Sequence, residues 1–555
     1  MTDNKKIGFF QSGTPWVWLN AGAVSISMIM VIGLLVLIAV RGLGHFWPKA
    51  IWQIEYEEGG GITTLIGERA KTETVSARQL REAGVKYNFK EEFVERTLLK
   101  IGNRDVYGFD FHLIVAPLEK SVSLPEELVV LERTEWGNFY GELVAVKEDG
   151  VTTQADAEEL WDKLSPRVER VAELRERIGD IEKSEIGAIN FKMEKLRLRT
   201  RAMELAGRDD AEEQAEIAET KAQLDADYDA LKTRLDILYA DIRRDAVTLR
   251  VMTGEEVSIN LSKVVKATRP NAMSTLTKVQ HYFGNLIDFV SDDPREANTE
   301  GGIFPAIFGT VMMVLLMSVI VTPFGVIAAI YLREYAKQGF VTRLVRISVN
   351  NLAGVPSIVY GVFGLGFFVY VLGGNIDQLF YPEALPSPTF GSGGLMWASL
   401  TLALLTVPVV IVATEEGLAR IPRAVREGSL ALGATKAETL WRIVIPMASP
   451  AMMTGLILAV ARAAGEVAPL MLVGAVKLAP SLPLDMNAPF LHLERKFMHL
   501  GFHIYDVGFQ SPNVEAARPL VYATALILVA VIILLNLSAI YIRNHLREKY
   551  RTLEQ

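Results

Sequence analysis

The stretch EGSLALGATKAETLWRIVIP, residues 427–446, lies between two long apolar runs and mixes acidic, basic and small residues before a proline. Such a segment does not belong in a bilayer, because a charged side chain at the centre of a spanning helix costs about 2.5–3.5 kcal/mol. We therefore expect it to form a loop that contacts another protein. Small residues at Gly433 and Ala434 would let a short helix in this loop approach its partner closely.

Six runs of the chain with few or no charges are each long enough to cross a bilayer, which takes about 20 apolar residues. The predicted spans are 17–40, 303–332, 347–376, 384–414 (best from Leu395), 447–476 and 519–542. The first is too long for the apolar part of a cleaved signal peptide and is predicted to be an uncleaved anchor. The fifth is interrupted only by Arg462 and Glu466.

The orientation of the spans follows from Lys and Arg, because short cytoplasmic loops carry an excess of these residues. The segments 333–346 and 415–446 and the tail after 542 are rich in them, whereas 373–394 contains none. Both termini are therefore predicted to be cytoplasmic. The long loop after the first span, 43–299, is predicted to lie on the opposite side of the membrane.

Composition excludes several classes of function. Half of the 555 residues are apolar and 22% are charged, and the net charge of −8 gives no support to nucleic-acid binding. The absence of cysteine excludes disulfides, thiolate metal sites and cysteine nucleophiles. The seven histidines are spread along the chain from His45 to His545, and we expect neither a metal site nor a catalytic site.

The outer region, 43–299, is predicted to be an α+β domain. Short strand-like runs such as 107–115 and 139–146 precede a heptad pattern of apolar residues that predicts a long antiparallel helical hairpin over about 156–245. The segments 246–252 and 255–261 are predicted to return as strands to the first sheet. The hairpin has two interpretations: a self-contained structural arm, or a docking arm for a soluble partner.

The spacing within 427–446 resembles the coupling-loop motif of binding-protein-dependent ABC importers, which is EAA, three residues, Gly, nine residues, Ile, any residue, Leu, Pro. The motif positions are occupied by Glu427, Gly433, Ile443 and Pro446. Gly428 and Ser429 replace the paired alanines, and Ile445 replaces the leucine. The resemblance implies that this loop, predicted to be helical and stopped by Pro446, docks into a groove on an ATPase subunit.

Three further stretches, 301–311, 350–369 and 461–474, resemble phosphate-importer permeases, and the endings of the last two are more similar to PstA than to its sister PstC. The resemblance covers about 300–545; the large outer domain matches only enlarged members of the family. It implies a PstC-like sister permease, a PstB-like ATPase homodimer and a PstS-like periplasmic phosphate-binding protein, assembled in a bacterial inner membrane. The chain has no GxxxxGK[ST] phosphate-binding loop, so we expect a transport subunit without a cofactor, with ATP hydrolysed by a partner.

Arg462 and Glu466 are four residues apart, so on a helix they would share a face and could meet inside the bundle. One interpretation is an internal ion pair that fixes helix packing. The other, which the resemblance favours, is a translocation path in which Arg462 offers its guanidinium to phosphate while Glu466 orients it. Guanidinium groups bind phosphate oxygens through two parallel hydrogen bonds.

The sequence as a whole predicts a mainly α protein: six spans with a MetI-like ABC importer permease core, plus an α+β periplasmic domain with a helical hairpin. The predicted domains are 1–16, cytoplasmic; 17–42, first span; 43–299, periplasmic; 300–545, five-span permease core; and 546–555, cytoplasmic tail. The predicted function is the permease subunit of an ATP-driven phosphate importer. A permease for another oxyanion, such as sulfate or molybdate, and a membrane sensor or scaffold with an extracytoplasmic domain stay open as alternatives.

Overall fold

The computed structural model describes residues 13–58, 60–85, 87, 89–208, 210–511 and 514–550. Asp209, at the predicted tip of the hairpin, lies outside these residues, as do parts of both predicted cytoplasmic ends. The strands are β1 Ile51–Glu58, β2 Gly61–Ser76, β3 Phe93–Lys100, β4 Phe111–Val115, β5 Glu119–Ser123, β6 Leu128–Arg133, β7 Phe139–Glu148, β8 Val151–Thr153, β9 Ala246–Arg250, β10 Glu256–Asn260, β11 Val264–Thr268, β12 Pro294–Arg295 and β13 Glu300–Gly301.

The α-helices are α1 Thr14–Leu43, α2 Ala77–Glu82, α3 Arg104–Tyr107, α4 Ala157–Asp180, α5 Gly187–Leu205, α6 Ala211–Ile242, α7 Thr275–Ser291, α8 Phe304–Ile330, α9 Phe340–Leu352, α10 Ser357–Phe363, α11 Gly374–Phe380, α12 Leu395–Arg420, α13 Arg423–Ala431, α14 Lys436–Thr439, α15 Ile445–Gly465, α16 Leu470–Val473, α17 Leu500–Tyr505 and α18 Val514–Tyr550. π-Helical turns join several of them into longer continuous helices.

Six helices of the described part are long and apolar enough to cross a membrane, which confirms the predicted number. We call them spans 1 to 6: Pro15–Leu43, Phe304–Tyr335, Ser357–Phe380, Leu395–Arg420, Lys436–Gly465 and Ala517–His545. Span 4 is largely buried inside the molecule and packs against spans 2 and 5, whereas span 1 touches the rest of the bundle mainly through span 6.

The predicted boundaries of the third and fifth spans were wrong. Residues 340–352 form the separate helix α9, and span 3 begins only at Ser357, because Pro356 lacks a backbone N–H and disfavours helical geometry in the residue before it. Span 5 begins at Lys436, earlier than predicted, and ends at Gly465 rather than reaching 476.

The region before span 2 contains two large antiparallel sheets rather than one, besides the short pair formed by β12 and β13. The first has the strand order β4-β3-β2-β1-β5, and the second has the order β10-β9-β7-β6-β11, with β8 paired to β7. The strands that follow the helical hairpin therefore join the second sheet, where β9 pairs with β7. Within the predicted strand 107–115, only Phe111–Val115 is extended, because Arg104–Tyr107 forms a helical turn that ends at Gly108.

Helices α4 and α5 form one arm and α6 forms the other, and both arms pack against each other and against the second sheet. Buried residues of α4 alternate by three and four, from Leu160 to Ile178, whereas only three residues of α6 are fully buried. The arm formed by α4 and α5 also contacts the segment between spans 5 and 6. Lys195 Nζ donates to the Ala488 carbonyl at 3.1 Å, and Phe191 packs edge-on against His492.

Candidate functional site

The stretch 427–446 folds as two short helices joined by a tight turn at Gly433. Helix α13 ends at Ala431, and Gly433 has a φ of 89°, a left-handed conformation that only glycine adopts without strain. The N–H of Gly433 donates to the Leu430 carbonyl at 3.0 Å and that of Ala434 donates to the Ser429 carbonyl at 3.3 Å. These bonds satisfy carbonyl groups that the end of α13 would otherwise leave unpaired.

The helix after the turn runs without interruption into span 5, so Pro446 does not stop a helix as predicted. The hydroxyl of Thr435 and the carboxylate of Glu438 form a reciprocal cap that starts α14. A π-helical turn, Leu440–Val444, then leads into α15, which has Pro446 in its first turn. The altered hydrogen bonding of a π-helical turn lets the chain stay helical although Pro446 has no N–H to donate.

The four predicted coupling residues lie along this helix–turn–helix in different environments. Glu427 on α13 and Gly433 in the turn are exposed, whereas Ile443 and Pro446 are half-buried near the start of α15. The two helices are joined by a buried hydrogen bond of 2.8 Å between the hydroxyls of Ser429 and Thr439. The exposed positions are therefore the ones available to a partner.

The sequence analysis missed the residues that hold this helix–turn–helix against the spans. Arg426 pairs with Glu334 at the end of span 2, at 2.9 Å, and donates to the Leu418 carbonyl of span 4 at 2.8 Å. Lys436 lies 4.5 Å from the ring centre of Tyr335, also in span 2. The signal that could have found the ion pair is the placement of opposite charges in two loops predicted to share one side of the membrane.

Two large apolar side chains of the helix–turn–helix are exposed: Leu432, next to Gly433, at 91% and Trp441, on the π-helical turn, at 74%. Together with Glu427 and Gly433 they form what we call the coupling face. Apolar side chains grouped on a surface of charged loops mark a site of protein contact more often than scattered ones do.

Arg462 and Glu466 meet, although not along one helix. Arg462 lies in the last turn of α15, and Glu466 follows the helix with an extended backbone. Arg462 Nε lies 3.6 Å from Glu466 Oε1, and the two side chains are 32% and 21% exposed. Among the described residues, Arg462 has no other ion-pair or hydrogen-bond partner. Most of its five N–H donors are therefore free to bind an anion.

The packing of spans 4 and 5 places Arg462 beside the middle of span 4. Gly417 faces Ala451, and Gly455 faces Ala413 so closely that an added Cβ would lie 2.7 Å from the alanine Cβ. Continuing this antiparallel pairing brings Arg462 opposite the middle of span 4, Leu395–Arg420. An ionisable residue at this depth usually lines a path or pairs internally.

The segment after Glu466 packs back into the core instead of leaving it. An added Cβ on Gly361 in span 3 would lie 2.7 Å from Pro469 Cα, and Gly364 approaches Thr401 and Val473 as closely. The missing side chains at Gly361 and Gly364 thus make room for residues 466–473. This non-helical backbone is tolerated at membrane depth because protein surrounds it. Among the described residues, no group of His, Asp and Glu is arranged to hold a metal ion.

Comparison with known proteins finds similarity in the carboxyl-terminal part of the chain. Residues 321–552 match the family model "Binding-protein-dependent transport system inner membrane component". This match includes the whole helix–turn–helix and both residues of the Arg462–Glu466 pair, while the two-sheet region lies outside it.

Curated relatives are similar to part of the chain. "Phosphate transport system permease protein PstA 1" of Mycobacterium tuberculosis (strain CDC 1551 / Oshkosh) is 38% identical over 175 residues, which are 31% of this chain and 52% of that protein. "Probable ABC transporter permease protein YqgH" of Bacillus subtilis (strain 168) is 27% identical over 237 residues, which are 42% of this chain and 71% of that protein. The chain thus spans about half of the length of the PstA relative.

Among solved structures, the chain is similar to the MetNI methionine ABC transporter in inward-facing conformations, with 18% identity and a TM-score of 0.33 over 44% of this chain and 95% of that one. The family match and the PstA relative agree with the resemblance seen in the sequence. Over residues 321–552 the chain is similar to binding-protein-dependent transport system inner membrane components, and part of the chain is similar to PstA permeases.

Proposed function

We propose that this chain is a membrane-spanning permease subunit of an ATP-driven importer of inorganic phosphate. The observation that carries the proposal is the exposed turn at Gly433, which has the spacing of the importer coupling motif and leads directly into a membrane span. In this proposal an ATPase subunit binds the coupling face, and a PstB-like homodimer supplies two such subunits to the complete importer.

The contacts of the helix–turn–helix explain how movement of an ATPase would reach the membrane. Helix α14 is continuous with span 5, and Arg426 ties α13 to spans 2 and 4. A displacement of the coupling face would therefore shift three spans together rather than bend a flexible loop. At the far end of span 5 the same movement reaches Arg462 and Glu466.

Arg462 and Glu466 are the proposed contacts of phosphate in the translocation path. The guanidinium has free donors, lies beside the middle of span 4 and remains partly exposed in this chain. Glu466 limits how tightly an anion binds, because its negative charge competes for the same guanidinium. A PstC-like sister permease would supply the facing half of the path, and a PstS-like periplasmic protein would deliver phosphate to its outer end.

The experiment that tests this function is purification of the chain from membranes with whatever proteins remain bound, followed by uptake measurements in reconstituted vesicles. We expect a second permease, an ATPase and ATP-dependent accumulation of radiolabelled phosphate when the soluble binding protein is added. Uptake of sulfate or molybdate in place of phosphate would reassign the substrate. A complex without an ATPase would contradict the proposal as a whole.

The proposed topology places both termini in the cytoplasm of a cell with an inner membrane and 43–299 in the periplasm. Because the chain has no cysteine, a single Asp209→Cys variant carries one reactive thiol. We expect a membrane-impermeant thiol reagent to label it in cells with a permeable outer envelope. Labelling only after the inner membrane is opened would reverse the topology.

A further inference from the structure

Helix α7, Thr275–Ser291, carries an exposed apolar face that none of its contacts within the chain covers. Leu276 is 70% exposed, Val279 36%, Phe283 56% and Ile287 61%. Their spacing of three or four residues places all four on one side of the helix. We call these four residues the α7 stripe.

The inward side of α7 combines polar residues with the buried Phe289 and attaches the helix to the rest of the molecule. Asn285 accepts a hydrogen bond from Lys266 Nζ at 3.0 Å and donates to the Phe46 carbonyl at 3.3 Å. Asp288 forms an ion pair with the same lysine. A helix on the surface of a water-soluble domain keeps its outer side polar, whereas α7 has apolar residues on both its inner and its outer side. Such a helix needs an apolar environment on its outer side.

The ends of spans 1 and 2 lie directly against α7. Phe46, three residues after the end of span 1, packs with ring centroids 6.2 Å from Tyr282 and 5.2 Å from Phe289. The Phe289 carbonyl also accepts a 2.8 Å hydrogen bond from the N–H of Ile303, just before span 2. The helix is therefore held at the level where one span leaves the membrane and the next enters it.

We propose that α7 lies along the membrane surface, with the α7 stripe inserted among the lipid chains at the boundary where spans 1 and 2 end. Lipid is the occupant that fits, because α7 packs against the residues that directly follow span 1, whose side chains are exposed along nearly its whole length. Trp47 is 42% exposed and lies 6.1 Å from Tyr282, and these residue types are enriched at membrane interfaces. Amphipathic helices bind bilayers in this way, with the apolar face a few ångströms deep.

This inference depends on the chain spanning a membrane and not on the transported substrate. It gives the outer region an attachment to the bilayer separate from its covalent links to the spans. The ion pair between Lys266 and Asp288 would then hold β11, and with it the second sheet, at a fixed height above the lipid.

The test uses single cysteines, which are unambiguous in a chain that has none. Phe283→Cys and Ile287→Cys are each labelled with an environment-sensitive fluorophore in the full chain, both alone and in its purified complex, in phosphatidylcholine–phosphatidylglycerol vesicles. Val151→Cys, an exposed apolar position on β8, is the matched aqueous control, and Leu34→Cys in span 1 is the lipid control. Leu276→Cys replaces either stripe variant if it does not insert.

We expect both stripe positions to lose fluorescence to a lipid nitroxide near the headgroup, to lose less to a nitroxide near the bilayer centre, and to resist aqueous iodide. Val151→Cys should show the opposite response to iodide, and Leu34→Cys should respond most to the deep nitroxide. Strong quenching of the stripe by iodide would place it in water and overturn the proposal. Protection from both iodide and lipid nitroxides would mean that a second protein covers the stripe, and this result would overturn the proposal as well.

Discussion

Two arginines, Arg133 in the outer region and Arg462 in the membrane core, each pair with one carboxylate in contrasting ways. Arg133 is 4% exposed and binds Asp105 through two nitrogens, at 2.8 and 3.1 Å. It also donates to the Gly137 and Trp136 carbonyls at 3.0 Å each. Arg462 is 32% exposed, and the only ion pair it makes among the described residues is the one with Glu466 at 3.6 Å.

The difference separates a structural arginine from one that is available to a ligand. The donors of Arg133 are used within the protein, so adding an anion would require breaking existing bonds. The distance between Arg462 and Glu466 exceeds that of a hydrogen bond, and the remaining donors of Arg462 point to no other described side chain. We therefore expect mutations of the Arg462 pair to change transport and mutations of the Arg133 pair to change stability.

The largest effect on transport is expected at Arg462. Hydrogen bonds to a charged group contribute about 1.5–3 kcal/mol, so Arg462→Gln should lower the rate of phosphate uptake about 10- to 100-fold. Arg462→Lys should also lose most of the uptake, because an ammonium does not form the paired hydrogen bonds of a guanidinium. The measurement is initial uptake divided by the amount of assembled complex.

Arg518→Gln is the matched control for Arg462. Arg518 also pairs with one glutamate on its own helix, Glu515, but both side chains are nearly half exposed at the surface. Uptake in this variant should stay near the wild-type rate. Near-normal uptake per complex in Arg462→Gln would show that the Arg462–Glu466 pair is structural and remove the distinction between the two arginines.

A smaller, several-fold effect on transport is expected at Gly433 in the coupling face. Gly433→Trp should uncouple ATP hydrolysis from transport while insertion persists, since the bulky side chain separates the coupling face from its partner. Gly433→Asn tests backbone strain separately, because asparagine tolerates a positive φ. Retained coupling in the asparagine variant and lost coupling in the tryptophan variant would identify close approach as the cause.

If both Gly433 variants couple normally, then the turn is not the joint with the ATPase. The ratio of phosphate transported to ATP hydrolysed is the measurement that distinguishes uncoupling from a general loss of activity.

The sequence predicted the number of spans because an apolar run of sufficient length has few alternatives to a membrane helix. It did not predict where helices break. The end of span 5 at Gly465 and the return of Pro469 against Gly361 depend on two glycines in a different span, and a local pattern does not contain that contact. The continuation of the helix through Pro446 was missed for a related reason. Proline usually ends or kinks a helix, but here a π-helical turn directly precedes it.

In the outer region, alternation of apolar residues indicated strands but not how they are shared between sheets. Pairing between β9 and β7 spans the whole helical hairpin, and such long-range pairing is decided by packing rather than by either strand alone. The spacing of Arg462 and Glu466 predicted that the two side chains meet, but not that Glu466 lies beyond the end of the helix. The contact between Arg426 and Glu334 joins residues 92 positions apart, so no local pattern contains it.

The expected difference in stability between the Arg133 and Arg462 pairs is tested by removing the carboxylate partner of each arginine. Asp105→Ala leaves the buried guanidinium of Arg133 without its counter-charge, and such a loss typically costs about 3–5 kcal/mol. Glu466→Ala should change the free energy of unfolding much less, because Arg462 is partly exposed. Thermal unfolding of the full chain and limited proteolysis of its outer region would measure both variants. Equal destabilisation would contradict the assignment of the two pairs to different roles.

The smallest effect on stability is expected at Glu300, a buried acidic residue. Glu300 lines a cavity of about 400 Å³ between the outer region and the membrane core, together with Lys100, Glu132, Arg295 and Glu296. Its Oε2 atom is buried without a hydrogen-bond partner among the described residues. Burial raises the pKa of Glu300 to about 7; the nearby Lys100 and Arg295 oppose this shift, and Glu296 and Glu132 add to it.

The sign of the pH effect follows from this shift. An unfolded glutamate has a pKa near 4.3, so the folded state binds the proton more tightly between about pH 4.3 and about pH 7. The contribution of Glu300 to the free energy of unfolding is therefore fully present below about pH 4.3 and is lost as the pH rises through about 7. Glu300→Gln should remove this dependence and be more stable than wild type above pH 7, by about 3 kcal/mol at most.

His45 lines the same cavity and gives the opposite slope. Burial, with help from Lys49 and Lys100, lowers its pKa to about 4, so stability is lost as the pH falls from about 6.5 towards 4. The informative quantity is therefore the difference in unfolding temperature between wild type and Glu300→Gln at each pH, in which the contribution of His45 cancels. A difference that grows from pH 5 to pH 8 would identify Glu300 as the titrating group. A constant difference would mean that Glu300 is ionised throughout, held by Lys100 and Arg295 as Arg133 holds Asp105.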